Sequence, residues 1–111
     1  TISEKRYEGY RSSVDFIQRH IFPGGMLPTP TIINEQAAQA NLTAHCVETF
    51  GLSYARTLAV WRQRFLAAWA AIAAQGFDER FRRMWEYYLA YCEAGFAERN
   101  ISVVQFTLRR P

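Results

Sequence analysis

Residues 54–74 read YARTLAVWRQRFLAAWAAIAA, the most regular amphipathic segment of the chain. Its large apolar residues recur in steps of three and four, which places them on one face of a helix. They are Tyr54, Leu58, Trp61, Phe65, Trp69 and Ile72. Gly76 is expected to end this helix, because glycine tolerates left-handed backbone geometry. We therefore predict a helix over residues 54–74 whose aromatic stripe belongs to the core.

Three more helices are predicted around it. Asp78 is a candidate N-cap for a helix that runs to about Phe96 and carries aromatic residues on more than one side. Upstream, apolar spacing predicts a helix over Tyr7–Ile21 that ends at the Pro23-Gly24-Gly25 turn. A short helix is expected from about Thr29 to about Ala40, with proline in its first turn and Asn41 as its terminator.

Two segments read as strands because apolar and polar residues alternate in them. The first is Leu42–Phe50, closed by Gly51, and the second is Ile101–Leu108. About fifty residues of mostly helix separate the two, so they can pair antiparallel. The predicted fold class is an α+β fragment, mostly helical with a two-strand antiparallel pair. We expect such a fragment to self-associate.

Charge and cysteine content argue against a nucleic-acid-binding protein and against a metal site. The 111 residues carry a net charge of +3, from twelve arginines and Lys5 against ten acids. Because the arginines are interspersed with acids, they indicate solvated helix faces, and no nucleic-acid partner is expected. Cys46 and Cys92 lack the spacing of a zinc site or a disulfide framework, and His45 has no second ligand nearby, so no metal site is expected.

The chain starts at Thr1 without a methionine, which suggests that it was cut from a longer protein. No signal peptide opens it, and no apolar run reaches the length of a membrane span. Two buried or half-buried thiols suit a reducing compartment. We therefore expect a cytoplasmic location, with peripheral contact at the inner membrane face left open.

Three stretches together resemble the cyclopropane-fatty-acid synthase family, which includes the mycolic acid cyclopropane synthases. They are IFPGGMLP (residues 21–28), ETFGLSYARTL (48–58) and FRRMWEYYL (81–89). Trp61 and Phe65 follow the second stretch, and Cys92 and Phe96 follow the third. Each match alone is weak, whereas their order and separations, which span nearly the whole chain, are fairly specific.

The resemblance implies an S-adenosylmethionine-dependent methyltransferase that transfers a methyl(ene) group to the double bond of an unsaturated acyl chain. It implies that residues 1–111 are the carboxy-terminal portion of a methyltransferase domain, with two strands that complete a Rossmann-like sheet. The cofactor-binding half would then lie outside this chain. S-adenosylmethionine and bicarbonate would belong to the intact enzyme, and the fragment alone is expected to bind neither cofactor and to be inactive.

The resemblance also supplies site residues. Tyr54 matches the family tyrosine that contacts bicarbonate, whereas neither cysteine matches the family's catalytic-site cysteine. Phe22, Gly24, Gly25 and Leu27 are candidate substrate-binding residues, because a glycine pair allows a close approach to a ligand and the apolar residues could line an acyl channel. Ser53 stands where many relatives have histidine, so cyclopropanation, plain methylation and a methylene product all stay open.

Two readings without catalysis also stay open. The aromatic face could belong to a helical module that binds a protein partner. The arginines could instead form a peripheral domain that binds anionic lipid; the residues concerned are Arg56, Arg62, Arg64, Arg80, Arg82 and Arg83.

Overall fold

The two longest helices of the computed structural model, which describes all residues from Thr1 to Pro111, form its main packing unit. They are α3 (Gly51–Ala67) and α5 (Glu79–Ala97), joined through the short α4 (Trp69–Ala73). Tyr54, near the start of α3, contacts Phe96, near the end of α5, so the two helices run antiparallel. The buried residues between them form the hydrophobic core; they are Ala55, Leu58, Leu89, Cys92 and Phe96.

The structure confirms the predicted Asp78 cap and the predicted start of a helix near Thr29, where it also shows a cap that was not predicted. Asp78 caps α5, because its Oδ1 accepts a hydrogen bond from the Phe81 N–H at 2.9 Å. Thr29 is almost fully buried and caps α2 (Pro30–Gln39), accepting from the Ile32 N–H at 3.2 Å. These bonds satisfy amide groups that have no partner within the helix. Asn41 adopts left-handed geometry at φ 60°, as expected of a terminator.

The predicted continuous helix over Tyr7–Ile21 is wrong. The chain forms α1 (Glu4–Ser12), then an extended break, and then a π-helical turn over Ile17–Ile21. The second segment has its own capping box: the Gln18 N–H donates to Asp15 Oδ1 at 2.9 Å, and the Asp15 N–H donates to Gln18 Oε1 at 3.0 Å. Apolar spacing alone did not reveal this start, although the Asp-x-x-Gln pattern was present in the sequence.

The predicted helix over residues 54–74 starts earlier and is interrupted. Gly51 does not close the preceding strand, because it is the first residue of α3, and Ala68 separates α3 from α4. A side chain at Gly51 would place its Cβ 2.9 Å from Ser102 Oγ, so the chain approaches itself closely here. Nothing in the structure explains the interruption at Ala68.

The structure confirms both predicted strands, although their first and last residues differ from the predicted ones. β1 (Thr43–Thr49) pairs antiparallel with β2 (Val104–Arg109). The predicted alternation places apolar residues opposite each other, Ala44 with Leu108 and Cys46 with Phe106. A bulge at Val47, which alternation did not predict, shifts the register by one residue. Ile101 lies outside β2 and forms an isolated bridge with Ile2.

Few residues are fully buried, and several large apolar side chains are exposed. Eight of the 111 residues are buried, and the radius of gyration is 16.8 Å, against about 13 Å for a compact domain of this length. The prediction that the whole aromatic stripe belongs to the core is wrong at Trp61, whose exposed fraction is 45%. None of the helices combines the length and the apolar character needed to cross a bilayer.

The open sheet generates a prediction about self-association. β1 and β2 pair only with each other, so each has one unpaired edge, and Leu108 has an exposed fraction of 52%. Unpaired N–H and C=O groups beside apolar side chains are a template for pairing with another chain. We expect light scattering of the 111-residue chain at tens of micromolar to show a dimer or larger species. A stable monomer would contradict this, because it would show that the exposed edges are tolerated in water.

Candidate functional site

A cavity of about 610 Å³ lies between the α3–α5 pair and the loop that follows the π turn. Fifteen of its twenty lining residues are hydrophobic, so water inside it finds few hydrogen-bond partners. Aromatic side chains form much of its wall, including Phe22, Tyr54, Trp61, Trp85, Tyr88 and Phe96. An apolar cavity with a few polar groups is the usual form of a small-molecule site.

Tyr54 lies in the first turn of α3, where its position is fixed by packing. Its ring makes edge-to-face contacts with Phe96 at 4.9 Å and with Trp61 at 5.8 Å between centroids. The hydroxyl groups of Tyr10 and Tyr91 are engaged, since Tyr10 Oη accepts from the Leu27 N–H and Tyr91 donates to Asp15. The Tyr54 hydroxyl makes no such bond within the chain, so it is free to donate to a ligand.

The Phe-Pro-Gly-Gly turn supplies the opposite wall. Phe22, Gly25 and Leu27 line the cavity, whereas Gly24 does not. Gly24 has φ 79° and open space around its Cα, so its role is to form the turn. The structure thus brings together Tyr54 and three of the four candidate substrate-binding residues, which stay predictions.

Two side-chain hydrogen bonds hold this turn over the cavity. Gln18 Nε2 donates to the Gly25 carbonyl at 3.0 Å, and the Leu27 N–H donates to Tyr10 Oη at 2.9 Å. The apolar side chains of Phe22 and Leu27 remain partly accessible, at 56% and 36%. The turn is therefore anchored at its backbone while its side chains border the cavity mouth.

Three residues of α5 were missed by the sequence analysis. Trp85, Tyr88 and Cys92 line the same cavity, but the periodicity of α5 assigned them only to packing. Tyr88 makes an edge-to-face contact with Trp85 at 5.3 Å between centroids. Burial, followed by the proximity of Cys92 and Tyr54, raises the pKa of the Tyr88 phenol, which therefore stays protonated at neutral pH. A helical stripe cannot distinguish a core from a cavity wall, because both require apolar residues on one face.

The two thiols occupy different surroundings. Burial raises the pKa of the Cys92 thiol to about 11, so it is neutral at pH 7 and a poor nucleophile. Cys46 lies exposed on β1, which corrects the expectation that both thiols are at least half-buried. No disulfide joins them, and no group of three or more histidine, cysteine or acidic side chains is placed to hold a metal ion.

Charged side chains lie mainly outside the cavity. Arg62 is half-buried and forms an ion pair with Glu93 at 3.0 Å, and Arg82 bridges Glu79 and Glu86. The four remaining arginines of the predicted solvated face are exposed, as expected; they are Arg56, Arg64, Arg80 and Arg83.

The strand-to-helix turn at Gly51 does not fit the S-adenosylmethionine that the resemblance implies. A nucleotide-like ligand needs a glycine turn whose backbone amides face an open pocket. Gly51 instead faces Ser102, whose Oγ would lie 2.9 Å from an added Cβ. The turn at Gly51 therefore leaves no room for this cofactor.

Comparison with known proteins gives a consistent set of relatives. The family described as mycolic acid cyclopropane synthetase matches residues 1–106. Tuberculostearic acid methyltransferase UfaA1 of Mycobacterium tuberculosis is 42% identical over 99% of this chain and 26% of its own length. Cyclopropane-fatty-acyl-phospholipid synthase of Escherichia coli is 39% identical over 86% of this chain and 24% of its own length.

A further relative is described as cyclopropane-fatty-acyl-phospholipid synthase of Citrobacter freundii. It is 32% identical over 68% of this chain and 83% of its own length. The chain thus spans about a quarter of the length of the first two relatives and most of this shorter one.

The buried thiol generates a prediction about pH. Because the folded pKa of Cys92 lies above its ordinary value of 9.0, its contribution to stability is complete below pH 9 and is lost as the pH rises toward 11. One pKa unit corresponds to about 1.4 kcal/mol, so the loss should reach about 2–3 kcal/mol. Denaturant unfolding from pH 8 to 11 measures it. Cys92→Ser keeps the size without titrating in this range, and it should flatten the slope. An identical slope in both proteins would contradict the assignment.

Proposed function

This chain belongs to the mycolic acid cyclopropane synthetase family, and from that premise we propose that it is the carboxy-terminal part of an S-adenosylmethionine-dependent methyltransferase. The proposed reaction transfers a methyl(ene) group to the double bond of an unsaturated acyl chain. The names of two relatives, a tuberculostearic acid methyltransferase and a cyclopropane-fatty-acyl-phospholipid synthase, support this substrate class. The observation that carries the proposal is the aromatic cavity lined by Tyr54, whose hydroxyl group has no hydrogen-bond partner within the chain.

The cavity suits an acyl chain because fifteen of the twenty residues that line it are hydrophobic. Each buried methylene contributes about 0.8 kcal/mol, so an alkyl segment of several carbons binds without any charged contact. The rings of Trp85, Tyr88 and Phe22 provide wide apolar faces, and their edge-to-face packing fixes the shape of the wall. Phe22 and Leu27 at the mouth would make the first apolar contacts with an entering chain.

Tyr54 is proposed to donate a hydrogen bond to a bicarbonate ion beside the acyl double bond. When bound, bicarbonate supplies a base for the proton that leaves the alkylated chain. Tyr54 fits this role because it lines an apolar cavity and its hydroxyl group has no partner within the chain, and a hydrogen bond to an anion is strong in such surroundings. One phenol does not balance the cost of burying an anion, so further hydrogen-bond donors beside Tyr54 would be needed.

The remaining proposals concern the whole protein. Since Gly51 faces its own chain, the S-adenosylmethionine pocket would lie in the portion of the enzyme outside residues 1–111. The β1–β2 pair would extend a Rossmann-like sheet, and the unpaired edges of both strands support this. The exposed arginines would permit peripheral contact with an anionic membrane surface at the cytoplasmic face.

The test is Tyr54→Phe in the full-length protein, which keeps the ring and removes only the hydroxyl group. Loss of one donor to a developing charge costs about 2–4 kcal/mol, so turnover should fall about a hundredfold or more. Mass spectrometry of the acyl product, which gains one carbon, measures turnover, and thermal unfolding should change little.

Tyr87→Phe is the matched control, because Tyr87 lies exposed on α5 outside the cavity. It should leave turnover unchanged. If Tyr54→Phe stays within twofold of the parent at saturating bicarbonate, Tyr54 is a packing residue and the proposed contact is wrong.

A further inference from the structure

Residues 22–27, which border the aromatic cavity, form a turn that is paired with no helix or strand; we call them the mouth segment. Beyond Phe22, the backbone makes one hydrogen bond to another backbone group, from the Gly25 N–H to the Phe22 carbonyl at 2.9 Å. With Pro23 and Gly24 between these residues, and Gly24 at φ 79°, this bond closes a turn of type II. The mouth segment is therefore a preformed turn.

Two side chains attach the mouth segment to the rest of the fold. Gln18 Nε2 donates to the Gly25 carbonyl at 3.0 Å, and Tyr10 Oη accepts from the Leu27 N–H at 2.9 Å. The other end of the Gln18 amide is also engaged, because its Oε1 accepts from the Asp15 N–H at 3.0 Å. Hydrogen bonds of this kind exchange with water at a modest net cost, so they fix a resting position of the segment without locking it.

Three apolar side chains of the mouth segment are divided between the cavity and the solvent. Phe22, Met26 and Leu27 line the cavity, yet their exposed fractions are 56%, 52% and 36%. Moving them into an empty space of about 610 Å³ would leave voids, and the lining of a void loses packing contacts. A ligand that fills the cavity removes this obstacle, because it gives the three side chains an apolar surface to cover.

We propose that the mouth segment is a lid that closes over an apolar ligand in the aromatic cavity, and that Gln18 and Tyr10 are positioning residues that hold it ready to close. The segment already reaches across to α5, because the rings of Phe22 and Tyr88 meet edge to face with centroids 6.2 Å apart. Gln18 itself lies in the π-helical turn, a form of helix that is frequent at functional sites. The lid rests on the proposed function only in that the cavity takes an apolar chain; it requires neither methyl transfer nor bicarbonate.

The test measures how fast a ligand leaves the full-length protein. The probe is cis-parinaric acid, which fluoresces in apolar surroundings, and stopped flow follows its dissociation after mixing with excess oleic acid. Gln18→Glu keeps an acceptor for the Asp15 N–H, since glutamate serves a capping box as well as glutamine does, but it loses the donor to Gly25. We expect its dissociation rate to rise about three- to tenfold. Tyr10→Phe, which removes the acceptor for Leu27, should act in the same direction.

Gln63→Glu is the matched control, because it makes the same change of charge at an exposed residue of α3 outside the cavity. Its dissociation rate should equal that of the parent, and thermal unfolding should change little in every variant. Phe22→Ala separates a lid from a purely structural role, because it removes the largest side chain of the mouth segment. In that background Gln18→Glu should change the dissociation rate by less than about twofold, since the bond then positions a lid without its main apolar cover.

Equal dissociation rates for the parent and Gln18→Glu would overturn the lid, as would an effect of Gln18→Glu that is the same with and without Phe22. A parent protein that does not bind the probe would also overturn it, because the lid would have no apolar ligand to cover. Probe binding needs neither cofactor nor bicarbonate, so a failure of the catalytic role of Tyr54 leaves this test intact.

Discussion

The packing of Leu58 against Leu89, Cys92 and Phe96 is the interaction on which the rest of the structure depends. It fixes α3 and α5 side by side, and Leu58 is the most completely buried large apolar residue at 2% exposure. Because the same helices carry Tyr54 and Tyr88 toward the cavity, the relative position of these side chains is set by the core. A truncation of Leu58 would cost about 2–5 kcal/mol and would also move the cavity wall.

The structure combines this small core with a large accessible apolar surface. Val47, Leu52 and Leu108 each have exposed fractions of at least 50%, and both strands have an unpaired edge. These features have a common explanation if the chain is one portion of a larger sheet protein, whose remaining strands would cover them. The cavity follows the same pattern, because its α3–α5 side is packed against the core whereas Phe22 at its mouth is exposed.

The sequence predicted the elements well where a local signal determines them. Asp78 as a cap and proline in the first turn indicated two helix starts, because both signals lie within a few residues of the start itself. Alternation found both strands, but the bulge at Val47 depends on the partner strand and has no local signature. The break before the π turn was not predicted, because apolar spacing does not mark a helix start, which here lies at the Asp15–Gln18 capping box.

The residues that line the cavity were harder to predict from the sequence than the helices and strands. The resemblance selected Tyr54, Phe22, Gly25 and Leu27, which the structure brings to one cavity, whereas Gly24 serves the turn. Trp85, Tyr88 and Cys92 could not be recognised as cavity-lining residues from the sequence. An apolar stripe on a helix is equally typical of a packed core and of a cavity wall. These three residues form a cavity wall because the loop after the π turn lies opposite α5. Hydrogen bonds of Gln18 and Tyr10 to the backbone hold this loop in position.

Photo-crosslinking tests the acyl-binding role of the cavity most directly. The probe is a phospholipid with a diazirine at the position of its acyl double bond, added to the full-length protein, with adducts mapped by mass spectrometry. We expect adducts on cavity-lining side chains, chiefly Tyr54, Trp85 and Tyr88. Adducts confined to exposed residues outside the cavity, such as Val60 and Tyr87, would contradict the account.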